Sequence, residues 1–247
     1  MTSTFRFYAE LNGFLAPERR GREFAAVCAE AATTKHMIEA LGVPHTEVAA
    51  ILVNAEPAGF DRLLHDGDRV AVYPRFTTLP GPDAPPLLPP LTGEPRFIAD
   101  AHLGGLARLL RMAGFDTRYR NDYADREIAA IAAQEERVVL TRDRELLKLR
   151  EVAHGCYVHA LHPPLQFREI VARLELRDRL RPFSRCMECN LPLRPIDKAL
   201  VSDRLPPKVR AHYDDFTTCD RCGRVYWPGS HWRRMSALLA EGLGEEG

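Results

Sequence analysis

Residues 97–119, FIADAHLGGLARLLRMAGFDTRY, decide the fold of the middle of this chain. Phe97-Ile98-Ala99 is a short apolar run suited to a buried strand, and Asp100 ends it. From Leu103 to Met112 the apolar side chains Leu106, Leu109 and Leu110 fall on one helical face, and Gly114 stops the helix. A short strand is predicted at Thr117 to Tyr119. The alternation then repeats: a helix capped by Asp125 and carrying Ile128 and Ile131, and a strand at Val138-Val139-Leu140. A helix beginning near Arg144, a strand over Tyr157 to Leu161, and a helix introduced by Pro163-Pro164 follow. This order predicts an α/β layered domain over 96–181, with a parallel sheet and right-handed crossovers.

In such a sheet, ligands collect beyond the carboxyl ends of the strands. Asp100 and Asp143 stand at two such ends, and Asp122, Asp125 and Glu127 cluster at the entry to the intervening helix. Hard divalent cations take oxygen ligands, so convergent carboxylates could hold magnesium or manganese at a phosphodiester. Arg142 and Arg144 flank Asp143 as donors for a phosphate backbone. Arg108 and Arg111, three apart on one helix, read as a basic stripe for RNA or as a solvated face. His102 is a candidate substrate contact or a surface group. Aspartates after strands also serve as helix caps, and that reading stands beside the catalytic one.

Four of the six cysteines form two pairs, Cys186-x-x-Cys189 and Cys219-x-x-Cys222, the spacing of a structural zinc site closed by four thiolates. Asn190 and Gly223 follow the two pairs and suit positive-φ turns. The competing reading, a redox dithiol, needs one such pair on a strand-to-helix turn. Arg221, Arg224, Tyr226, Trp227, His231, Trp232, Arg233 and Arg234 mix charge with aromatic rings, which suits either stacking on unpaired bases or covering a small core. The ribbon is expected over 182–236, with a tail over 237–247.

Toward the amino terminus, Phe5 and Phe7 alternate with polar residues, and Asn12-Gly13 offers a turn before an extended segment at Phe24 to Cys28. Thr33 or Thr34 can cap a short helix stopped by Gly42, and strands follow at Ala50 to Val53 and Arg69 to Tyr73. Strand, strand, helix, strand, strand is the order of a β-grasp, placed at 1–76. The segment 77–95, TTLPGPDAPPLLPPLTGEP, is too rich in proline for a helix or central strand and reads as an extended linker.

Composition narrows the class. An apolar content of 45% supports real cores and excludes global disorder, and zero net charge argues against a general nucleic-acid coat while permitting a local basic face. No apolar run reaches ~18 residues and no secretory signal is evident, so a cytoplasmic protein without a membrane partner is expected. In a reducing compartment Cys28 and Cys156 read as buried thiols.

Two resemblances extend these readings. IEALGVPHTEVAAILVN (38–54) and LLHDGDRVAVYP (63–74) resemble the ubiquitin-like sulfur-carrier family, whose carriers end in a free Gly-Gly. This chain instead continues through Pro74-Arg75-Phe76, which disfavours carrier chemistry and favours an adaptor or packing role with a protein partner. The 97–119 segment, DREIAAIAAQEERVVLTRDRELL (125–147), and the cysteine segments SRCMECN (184–190) and CDRCGRVYWPGSHW (219–232) resemble the PIN-like nucleases of the Mut-seven carboxy-terminal type. That resemblance implies a three-layer PIN-like domain and metal-dependent RNA cleavage by Asp100, Asp125 and Asp143. It also implies fusion to a ubiquitin-like domain. The fourth acid usual in PIN domains has no counterpart after the Tyr157 strand, where His159 and His162 stand; either Asp122 or Asp116 completes the site, or the enzyme works with fewer ligands. The leading expectation is a ribonuclease acting on tRNA, rRNA or ribosome-associated RNA. The rivals are a non-catalytic RNA- or ribosome-binding module and a ubiquitin-like adaptor.

Overall fold

The computed structural model describes residues 1–74, 87 and 93–243, so the expected linker lies almost wholly outside the described residues. In chain order the elements are β1 (Thr2–Phe7), β2 (Phe24–Val27), α1 (Thr34–Ala40), β3 (Val48–Val53), β4 (Glu56–Ala58) and β5 (Arg69–Pro74). Then come β6 (Arg96–Ala99), α2 (Gly104–Met112), β7 (Asp116–Tyr119), α3 (Asp125–Glu135), β8 (Val138–Thr141), α4 (Arg144–Lys148), β9 (Gly155–Tyr157) and α5 (Pro163–Arg173). The chain continues with β10 (Arg194–Pro195), α6 (Pro207–His212), β11 (Thr217–Thr218), β12 (Val225–Tyr226) and α7 (Ser230–Leu243), which runs into the stretch expected as a tail. Two compact units interleave in sequence: Met1–Gly93 with Ala124–Tyr157, and Glu94–Tyr123 with Val158–Gly247.

The first unit opens with a β-grasp sheet in the order β2-β1-β5-β3-β4, in which β1 and β5 are parallel. Alternation explains its core: Phe5 and Phe7 of β1, Ile51 and Val53 of β3, and Val70 and Val72 of β5 point inward and are buried with Leu11, Phe14 and Ile38. Thr33 caps α1 by accepting the His36 amide at 3.2 Å. Asn12 does not make a tight hairpin turn. Its amide donates to the Phe7 and Ala9 carbonyls while its oxygen accepts from Gly21, organising 3-10 turns between β1 and β2.

A four-stranded sheet has the order β7-β6-β8-β9, with β6–β7 and β8–β9 parallel. The strands are short and apolar, as a sheet covered on both faces requires; Phe97, Ile98, Ala99, Val139 and Leu140 are completely buried. Gly114 ends α2 at φ +101°, and a Cβ there would strike the Arg181 backbone. The last strand differs from expectation. It ends at Tyr157, because the amides of His159 and Ala160 are taken by the Glu169 carboxylate at 2.9–3.1 Å and leave none for a ladder.

The three-stranded antiparallel sheet β10-β11-β12 has strands of two residues each and a small core of Val201, Leu205 and Phe216. So little apolar surface cannot hold a fold without a staple. Trp227 packs on this core. No helix among the described residues is long and apolar enough to cross a membrane.

Candidate active site and metal centre

Asp100 follows β6 directly, is 8% exposed, and accepts the Ala101 amide at 2.6 Å. Asp143 lies two residues past β8, accepts the Glu145 amide at 2.7 Å, and donates its own N–H to the Thr141 hydroxyl at 2.9 Å. Both carboxylates therefore act as caps. Asp125 does not: it is the first residue of α3, the cap position is Ala124, and no side chain caps that helix. Asp122 is exposed and held by Arg120 through two contacts of 2.9 Å, which keep its carboxyl below the ordinary range. Asp116 is bound by the Asn190 amide at 2.7 Å in the first cysteine knuckle.

Arg111 is 9% exposed, so no solvated stripe runs through it. Its Nε donates to the Thr117 carbonyl at 2.9 Å and its Nη1 to the Met187 and Glu188 carbonyls at 2.9 and 3.2 Å. Around it, Asn190 Oδ1 accepts from the Thr117 amide, Arg185 reaches the Gly114 carbonyl, and the Phe183 amide donates to Met112. Together these bonds weld the first cysteine knuckle to the end of α2 and the start of β7. Arg108, by contrast, is exposed and has no polar partner among the described residues. His102 is exposed and Arg142 half-buried.

Arg144 also has another occupation. Its guanidinium donates to the Phe14 carbonyl at 2.8 Å and lies 5.1 Å from the Phe14 ring centre and 5.9 Å from that of Tyr157. Beside it the β-grasp turn His45-Thr46-Glu47 is buried. The Glu47 carboxylate accepts the Tyr157 amide at 2.6 Å, so it closes the terminal strand β9. His45 bridges Glu39, at 2.8 Å, and the Val152 carbonyl, at 3.1 Å; a carbonyl accepts, so Nε2 carries the proton. The ubiquitin-like domain thus braces α4 and β9, next to Asp143 in the chain. Nothing in the sequence marks Glu47 for this, since an acid in a turn ordinarily faces water.

Cys186, Cys189, Cys219 and Cys222 bring their four sulfurs within 4.8 Å of one another. The Cys186 and Cys222 sulfurs are 3.7 Å apart, near the roughly 3.8 Å edge of a tetrahedron with ~2.3 Å metal–sulfur bonds. Asn190 (φ +63°) and Gly223 (φ +65°) take the left-handed turns expected of them. The Cys189 amide donates to Cys186 Sγ, and the Tyr226 hydroxyl lies 3.2 Å from the same sulfur. Burial raises the Cys186 thiol, but these donors outweigh it and bring it down to about 7; burial and neighbouring thiols push Cys189 up to about 12. Four thiols this close cannot all ionise unaided, and a divalent cation removes the conflict. The Tyr226 contact had one sequence signal, an aromatic residue four positions after Cys222.

No curated protein matches the chain. Among solved structures, SAMP1 from Haloferax volcanii is 18% identical over 30% of this chain and 94% of its own, with a TM-score of 0.25. Another structure of small archaeal modifier protein 1 from H. volcanii is 19% identical over 30% of this chain and 95% of its own, with a TM-score of 0.23. The family model of the Mut7-C ubiquitin domain matches residues 1–79, and that of the Mut7-C RNAse domain matches residues 95–239, cysteine knuckles included. With more than half of its 247 residues matched by that second model, the chain belongs to the Mut7-C RNAse domain family and carries a Mut7-C ubiquitin domain in front.

Proposed function

We propose that this protein is a metal-dependent ribonuclease in which Asp100, Asp125 and Asp143 supply the acidic centre and Asp122 a further carboxylate. The observation that carries the reading is the match of the Mut7-C RNAse domain model to residues 95–239, a span that holds all four acids, with Asp100 and Asp143 each just past the carboxyl end of its own strand. Their donors are hard carboxylate oxygens, which suit magnesium or manganese. Such an ion, when bound, supplies activation of water and neutralisation of phosphate charge. The chain's part is positional: the Ala101 and Glu145 amides orient the Asp100 and Asp143 carboxylates before substrate arrives. Arg142 and Arg108 hold the RNA backbone. The four cysteines hold a structural zinc, closed to chemistry because every position is a thiolate.

The rival, a non-catalytic RNA-binding module, has one observation in its favour: both aspartates already serve as caps. Asparagine separates the two readings, since it caps a helix as well as aspartate does but is a poor ligand for a hard cation. Zinc-loaded protein freed of magnesium and manganese should cut structured and unstructured RNA when either metal is restored. The Asp100→Asn, Asp143→Asn double variant should fold, bind RNA and not cut. Undiminished cutting by the double variant would sink the assignment; binding without cutting by either protein would favour the rival.

A further inference from the structure

We propose that a cavity beside the zinc ribbon is a base-reading subsite for one unpaired nucleotide whose base carries an exocyclic amino group. It rests on the RNA-binding part of the function above. The cavity has a volume of about 590 Å³, within the roughly 300–1,000 Å³ of small-molecule sites. Its apolar wall includes Trp227, Phe216 and Phe183, with the first two ring centres 6.5 Å apart. Phe216 is buried in the ribbon core and backs Trp227, so the half-buried Trp227 and Phe183 are the rings that can offer a face to an unpaired base. Phe183 holds φ +59°, an uncommon conformation for a bulky residue, and its N–H donates to the Met112 carbonyl at 2.8 Å. Such strain persists at ligand clamps, where the surroundings over-determine it.

The polar groups on the wall decide which ligand fits. Glu188 and Arg224 neutralise one another at 2.8 Å, Asp214 is met by Lys198 at 2.8 Å, and Arg185 is spent on the Gly114 and Asn190 carbonyls. Among the charged groups of the described residues on this wall, this leaves the Arg108 guanidinium and the Asp215 carboxylate without polar partners. One unpaired cation and one group that only accepts, set on an aromatic slot, match a phosphate and the N–H donors of a planar base. Cytosine offers an amino group where uracil offers a carbonyl. A carboxylate accepts from the first and repels the second.

The test uses the zinc-loaded full chain without magnesium or manganese, so that binding is read apart from cleavage. Pentacytidylate and pentauridylate are titrated by calorimetry and by tryptophan fluorescence. Pentacytidylate should bind about tenfold or more tighter than pentauridylate and quench the Trp227 emission. Asp215→Asn should collapse that preference without weakening pentauridylate binding, Arg108→Ala should weaken both equally, and Trp227→Phe should remove the quench. Equal affinities for the two oligonucleotides, or a preference that survives Asp215→Asn, would overturn the subsite. Preference without RNA cleavage in the metal-restored assay would leave the subsite standing and remove the nuclease, whereas cleavage without preference would do the reverse.

Discussion

Replacing Arg111 by methionine tests whether this arginine is a strut or an RNA contact. The guanidinium is 9% exposed and makes one bond to Thr117 and one divided between Met187 and Glu188. Two charge-assisted bonds at ~1.5–3 kcal/mol each would lose about 3–6 kcal/mol. Methionine keeps the buried stem and avoids desolvating a charge, which returns roughly 1–2 kcal/mol. The net loss is then about 2–4 kcal/mol, or roughly 4–16 °C in melting temperature for a chain of this size. Because the lost bonds tie α2 to the first knuckle, zinc should also pass faster to a coloured chelator. Thermal melting and chelator competition on the same preparation read both effects. A variant that melts with the wild type, releases zinc at the same rate and binds RNA less well would refute the strut and restore the basic stripe.

Glu47→Ala should cost about 2–3 kcal/mol in urea denaturation and expose the Tyr157 amide to hydrogen exchange, while Glu47→Gln, which keeps an acceptor oxygen, should cost less than half of that. Burial raises the Asp68 carboxyl, but the His65 amide, the Asn54 amide, and the His65 and Arg62 charges outweigh it and hold it below its ordinary 3.8. The folded state therefore binds fewer protons than the unfolded one. Asp68 stabilises fully above pH ~4, and this contribution is lost as acid takes the pH through the folded value. Asp68→Asn should be less stable by about 1 kcal/mol at pH 7, and the difference should shrink as acid takes the pH through the lowered folded value, in titrations followed by circular dichroism. Cys219→Ser should drop bound zinc well below one equivalent by elemental analysis and open the 186–227 region to proteolysis, leaving the β-grasp resistant; an intact zinc complement would rule out the four-thiolate site.

The elements that were legible in the sequence are those whose information is local. Phe97-Ile98-Ala99, the Leu106/Leu109/Leu110 face and the Gly114 stop are all fixed by neighbours within a few residues. The cysteine cluster was legible because two knuckles at metal spacing have few other uses. What escaped depends on distant partners. β9 was placed too late because Glu169 takes two amides that would otherwise extend a strand. Arg111 and Arg144 read as solvent-facing cations, yet carbonyls 76 and 130 residues away claim them. Asp125 was given a cap that the structure assigns to Ala124, since a helix can begin one residue earlier without changing its apolar face.

The closing of β9 by Glu47 also sets an order of events during synthesis. All five strands of the β-grasp sheet lie within the first 74 residues, so that sheet can form early. Phe14, His45 and Glu47 must then wait for residues 144–157, which lie about 70–80 positions beyond the end of that sheet at Pro74. At ~5–20 residues per second this leaves an interval of roughly 4–16 s in which the docking face meets water. An acid and a histidine in that face keep it hydrated meanwhile, where a purely apolar patch would invite wrong partners. The same two side chains that brace the finished protein are thus the polar part of the face that waits for residues 144–157.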